Sequence, residues 1–158
     1  MADTSLEEYE RALQQCGGRR EDLTQRDRGA LLQEWRSVYA ARLFAATGRW
    51  KHSKHEWHLF SFGYVTSLRS KRAMAEYARQ AAVDLIVWPE SLHLPVVRLS
   101  GSSLPDFSGT GLDVYVWPAD LSWVMAFTHE DSSGYGPYFV PREWAALEDR
   151  PDSRAPLS

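Results

Sequence analysis

Two apolar runs, residues 112–117 and 122–128, flank the short segment Pro118-Ala119-Asp120. Paired runs of this length around a turn-forming segment predict a β-hairpin, and a hairpin this apolar has to sit inside a sheet. Trp123, Met125 and Phe127 fall on one side of its second strand, and Val124, Ala126 and Thr128 on the other. That strand then delivers Thr128-His129-Glu130-Asp131 into a Gly/Ser loop closing on Pro137-Tyr138-Phe139. Binding and catalytic groups concentrate on loops held by a rigid scaffold. Thr128, His129, Glu130, Asp131, Tyr135 and Tyr138 are therefore the candidate binding residues.

The rest of the chain reads around this hairpin. Ser5-Leu6-Glu7-Glu8 has the spacing of a capping box and opens a first helix, which Gly17-Gly18 stops. Leu31, Leu32, Trp35, Tyr39 and Leu43 repeat at helical spacing and predict a second helix from Thr24 or Asp27 to Thr47. Residues 57–64 alternate imperfectly and read as a first strand. A third helix is expected from Ser67 or Ser70 to Ala82, with Met74, Tyr77 and Ala81 on its apolar face. Residues 83–88 and 95–100 read as strands, and 101–111 as a flexible Gly/Ser/Pro-rich loop. Two similar elements, LIVWPE and VYVWPAD, read as strands ended by Pro, which removes a ladder donor. Residues 138–140 suggest a last strand, and Pro141-Arg142-Glu143-Trp144 a short closing helix. The order predicts an α+β fold: N-terminal helices, then a mostly antiparallel sheet with helices on one face. Residues 1–148 are expected to form a single α+β domain, with 149–158 as a flexible tail.

Composition narrows the function classes. Cys16 is the lone cysteine, which excludes an intramolecular disulfide and a cysteine-based zinc site. Seven Trp are many for 158 residues and suggest half-buried rings at a core edge or a recognition surface. No apolar run approaches a membrane span, and the acidic start MADTSLEEYE is unlike a signal peptide, so a cytoplasmic setting without membrane contact is expected. Residues 1–80 carry 14 Lys+Arg and 10 Asp+Glu, whereas 81–158 carry 4 and 11. The acidic second half argues against nucleic-acid binding and suits a basic partner protein.

Catalytic constellations are incomplete. His52, His55 and His58 recur every three residues, a spacing that converges all three on one ion in neither helix nor strand. His129 with Glu130 could bind a metal or act as an oriented base, given a further ligand such as His58. HExxH, phosphate-cradle and nucleophile-elbow patterns are absent. No cofactor or metal is assigned on this basis, and no catalytic residue. The reading is a non-enzymatic protein-binding domain with Glu130, Asp131 and Tyr135 as contacts. The alternatives are a small metal-assisted enzyme on the His129/Glu130 cluster and a homodimeric structural domain.

Trp57-His58-Leu59-Phe60-Ser61, followed by Leu68 and Ala73, resembles a small uncharacterised bacterial domain family with a W-H-x-F-S element. The stretch from Asp120-Leu121-Ser122-Trp123 through Thr128-His129-Glu130 to Gly136-Pro137-Tyr138-Phe139 is similar to a pattern in small bacterial proteins, some of them immunity-like. The resemblance spans about residues 50–145 and implies a bacterial cytoplasmic setting, with no activity to transfer.

Overall fold

The computed structural model describes residues 4–146, so the tail expected from 149 lies outside the described residues. The elements are α1 (Thr4–Gln14), β1 (Arg19–Asp22), α2 (Gln25–Tyr39), α3 (Ala41–Thr47), α4 (His58–Ser61), β2 (Leu68–Arg69), α5 (Ser70–Tyr77), β3 (Leu85–Pro89), β4 (Val97–Ser100), β5 (Val114–Pro118), β6 (Trp123–Phe127), β7 (Tyr138–Pro141) and α6 (Arg142–Ala145). The strands form one antiparallel sheet in the order β1-β4-β3-β5-β6-β7-β2. This is the α+β class that the order of sequence signals predicts.

The expected helical layer is present, and a second one covers the opposite face. Every residue of β3 and β6 is buried, so both faces of the central strands need a cover. Leu85, Val87, Val116, Met125 and Phe127 point to the side packed by Tyr9 and Leu13 of α1 and by Ala73 and Tyr77 of α5. Ile86, Trp88, Tyr115, Trp117 and Val124 point to the side packed by Trp35 and Tyr39 of α2, Phe60 of α4 and Ala145 of α6.

The two Trp-Pro elements are neighbours. β3 and β5 pair so that Leu85 faces Pro118 and Pro89 faces Val114. Each proline ends its own strand where the other begins, so neither interrupts the ladder between them.

Several elements differ from the sequence reading, and the third helix, expected to reach Ala82, ends at Tyr77. Residues 57–64 do not form a strand: Trp57, Leu59 and Phe60 are the buried positions, a helical-turn pattern, and His58–Ser61 is the short helix α4. The long second helix breaks at Ala40 into α2 and α3. At the start of α2, Thr24 and Asp27 make a capping box, each side chain accepting from the other's backbone N–H. The 101–111 loop is irregular but anchored. Phe107 is buried between Tyr9 and Phe127, and the Tyr77 hydroxyl donates to Pro105 O at 2.6 Å. Finally, β1 and β2 carry too few apolar residues to be read as strands. β1 is exposed at all four positions, and its partner β4 alone defines it.

A tight crossing fixes the start of β1. Gly18 has φ +87, and a Cβ there would lie 2.1 Å from Ser100 O. A Cβ on Gly101 would lie 2.6 Å from Cys16 O. Only glycine lets these two backbones pass.

Candidate functional site

Three adjacent central strands deliver polar residues to one end of the sheet. Glu90 follows β3, Asp113 precedes β5, and His129 comes two residues after β6 ends. Because Pro89 pairs with Val114, and Val114 with Phe127, the three arrive side by side. Glu90 N donates to Asp113 O at 2.9 Å, which ties the first two directly. The irregular segment before α4 lies over this end and adds His55, Glu56 and Trp57, and the first residue of α4 adds His58.

The side chains lock together through named hydrogen bonds. His55 Nδ1 lies 2.5 Å from Glu90 Oε1. Glu90 Oε2 accepts from Glu56 N at 3.0 Å and from the Tyr115 hydroxyl. That hydroxyl in turn accepts from Trp57 N at 2.8 Å. Asp113 Oδ1 accepts from Trp57 Nε1 and from His129 N, each at 3.0 Å, and lies 3.0 Å from His129 Nδ1. Buried Trp57 is the hinge pin of the cluster: its ring stacks on His55 and on Tyr138 and meets His58 and His129 edge-on.

His55, Asp113 and His129 each offer a ligand atom within 4.8 Å of the other two. Ligands at about 2.0–2.2 Å from a tetrahedral ion stand roughly 3.3 Å apart. The set must therefore close slightly on binding. Glu90 holds Nδ1 of His55, which leaves Nε2 as its ligand atom. A carboxylate behind a ligating imidazole is the usual outer partner of a metal-bound histidine. Asp113 is already oriented by the Trp57 indole and a backbone N–H. Two imidazoles and one carboxylate suit Zn2+ or a similar first-row divalent ion with open positions.

The remaining sequence candidates separate by role. Thr128 is buried, and Asp131 staples the turn after β6. Thr128 N donates to Asp131 Oδ2 at 3.0 Å, and Thr128 Oγ1 to Asp131 Oδ1 at 2.7 Å. Burial holds the Asp131 carboxyl above its ordinary range, against the pull of those Thr128 hydrogen bonds. A Cβ on Gly136 would lie 2.2 Å from Asp131 Oδ1, so glycine there makes room for the staple. Tyr138 is buried against Trp57 and Phe60 with the Arg69 guanidinium over its ring, and burial raises its phenol. Glu130 is half-exposed, its Oε2 3.9 Å from His129 Nε2. Tyr135 is exposed on the loop.

Of the three early histidines, His55 and His58 meet at 5.2 Å between ring centres, and His52 packs on Phe62 and Tyr64 instead. Glu90 and Trp57 hold His55 half-buried. His58 Nδ1 is engaged by the Ser53 hydroxyl. Burial, and next His55, hold His58 below the usual imidazole range. Sequence reasoning reached His129 and missed His55, Glu90 and Asp113. The available signal was the Trp-Pro pair: an acidic residue stands just after one element and just before the other.

A cleft of about 410 Å3 is lined by His55, Glu90 and Asp113 together with Lys51, Lys54 and Trp88. No protein-family model matches the chain, and no curated protein or solved structure matches it significantly. No helix among the described residues is long and apolar enough to cross a membrane.

Proposed function

We propose that the protein is a small metal-dependent enzyme that holds one divalent first-row ion on His55, Asp113 and His129, with open coordination positions facing the cleft. The observation that carries this reading is the meeting of His55, Asp113 and His129, each with a ligand atom within 4.8 Å of the other two. Glu90, itself held by Tyr115 and the Glu56 amide, engages Nδ1 of His55 in the manner of an outer partner of a metal-bound histidine. An ion with open positions polarises a bound oxygen and lowers the pKa of bound water, which is the chemistry of metal-assisted hydrolysis. Glu130, half-exposed and with Oε2 3.9 Å from His129 Nε2, is the carboxylate outside the ligand set that we assign to accept a proton from that water.

The test is a Zn2+ titration of chelator-treated protein. One ion per chain is expected, with affinity falling at least about 100-fold in each of His55→Ala, Asp113→Ala and His129→Ala, more than outer partners contribute. Absence of a stoichiometric ion in the wild type overturns the reading.

A second reading, an immunity-like protein-binding domain, draws on exposed aromatics around the same cluster. Phe62, packed against His58, and Tyr135 are each 61% exposed, and exposed aromatics often anchor partners. Glu130 would then meet a basic partner; Asp131 contributes less, since Thr128 occupies its carboxylate. Salt-sensitive binding of a polylysine peptide, weakened by Glu130→Arg with the melting temperature kept, would support it. Binding indifferent to that substitution would not.

A further inference from the structure

We infer that the cleft beside His55 and Asp113 takes a phosphorylated small molecule, its phosphate lying between the bound ion and the ammonium groups of Lys51 and Lys54. This rests on the metal reading above and adds the class of ligand.

Charge placement carries the inference. The cleft is lined by Arg36, Lys51 and Lys54 and by Glu56, Glu90 and Asp113. The three acids are the less exposed members and are occupied. Glu56, only 4% exposed, takes both Arg36 Nε at 3.1 Å and Arg36 Nη2 at 2.7 Å. Glu90 serves His55, Tyr115 and a backbone amide, and Asp113 serves Trp57 and His129. The two lysines are the exposed basic members of the lining. Lys51 reaches Glu56 only at 3.5 Å and is 42% exposed, and exposed Lys54 has no carboxylate partner among the described residues. The solvent-facing wall is therefore cationic although the lining residues sum to zero with neutral imidazoles. An unpaired ammonium beside a carboxylate-filled interior has nothing to bind within the protein.

A divalent ion on His55 and Asp113 adds two positive charges to the same cleft without adding a partner for them. The combined field then favours a compact, multiply charged oxyanion over a neutral ligand. Phosphate answers both walls: one oxygen can enter an open position on the ion while others accept from flexible ammonium donors, which act on phosphate as point charges. Trp88 and Leu32 complete the lining and offer an apolar surface to the rest of the molecule. About 410 Å3 is the size of a small-molecule pocket rather than of a polymer groove. Because the anion and the ion share one electrostatic site, each should strengthen the other's binding by the same factor.

The experiment follows the visible absorption of the Co2+-loaded full chain while inorganic phosphate is added, with acetate as the competing anion. Phosphate is expected to change the Co2+ spectrum saturably and to bind at least about tenfold more weakly in Lys54→Ala and in Lys51→Ala, a loss typical of one charge-assisted contact. Co2+ affinity in those variants should stay at the wild-type value. If Co2+ does not bind, the metal reading fails and takes this inference with it. If Co2+ binds with the ligand-field spectrum of nitrogen and oxygen donors but phosphate leaves it unchanged, this inference alone is overturned. Acetate binding as tightly as phosphate overturns the phosphate class, as does phosphate binding equally well to the metal-free chain.

Discussion

His55 Nδ1 and Glu90 Oε1 lie 2.5 Å apart, and this contact joins the irregular segment before α4 to the end of β3. The two residues are 35 positions apart, and the contact adds a tertiary tie to the local stacking of His55 on Trp57. Glu90 is therefore a structural tie and, in the proposed metal site, the outer partner of His55. The two roles separate by measurement.

Glu90→Ala should lower Zn2+ affinity by about 10–100-fold, the range for outer partners of metal ligands. It also leaves the Tyr115 hydroxyl and the Glu56 amide without an acceptor, which costs roughly 1–3 kcal/mol of stability. Zn2+ titration and thermal unfolding read the two effects independently. A lowered melting temperature with unchanged affinity would reduce Glu90 to a tie.

Ion binding should also stabilise the fold, because the ligands come from three segments that meet only in the native state. At a free ion concentration about 100 times Kd, linkage predicts a gain of about 2.7 kcal/mol. Chelator should reverse the gain, and His129→Ala should abolish it. A melting temperature indifferent to Zn2+ would speak against the site.

The hairpin that anchors the site was legible because each strand has its own apolar pattern and Pro118-Ala119-Asp120 marks the turn. The two Trp-Pro elements were legible as strands for the same reason. Their pairing was not, since register is a tertiary property, and only that register puts Glu90 beside Asp113. His129 stood out as a polar residue after an apolar run. His55 did not, because the segment around it has no period: Trp57, Leu59 and Phe60 are buried by a short helix, which alternation misreads as a strand. The strands β1 and β2 were invisible for a related reason, as edge strands without an apolar face carry no signal of their own.

Arg36→Ala removes the main partner of a carboxylate that is almost fully buried. Breaking a buried pair costs about 3–5 kcal/mol. The partial exposure of Arg36 and the presence of Lys51 at 3.5 Å place the loss near the lower end. Denaturant unfolding should show it, and the double variant Arg36→Ala/Glu56→Gln should recover part of it. No recovery would mean that the Arg36 stem, rather than its charge, is what the fold needs.

Among the described residues five tyrosines are buried, and three of them donate to backbone carbonyls in ways that limit stability at high pH. The hydroxyls of Tyr9, Tyr39 and Tyr77 donate to Pro95 O, Leu121 O and Pro105 O, and burial raises all three above the ordinary tyrosine range. Below a pH of about 10, where an unfolded tyrosine is still protonated, their contribution to stability is complete. Above it the unfolded chain releases protons that the folded chain keeps, so stability falls as pH rises. Each phenol contributes up to about 1.4 kcal/mol per pH unit, and the three together about 4. Unfolding should therefore precede their ionisation. Circular dichroism and phenolate absorbance followed together should change in one cooperative step. A gradual rise in phenolate with the dichroism intact would mean that the three hydroxyls ionise in the folded protein, and that burial does not hold them as described.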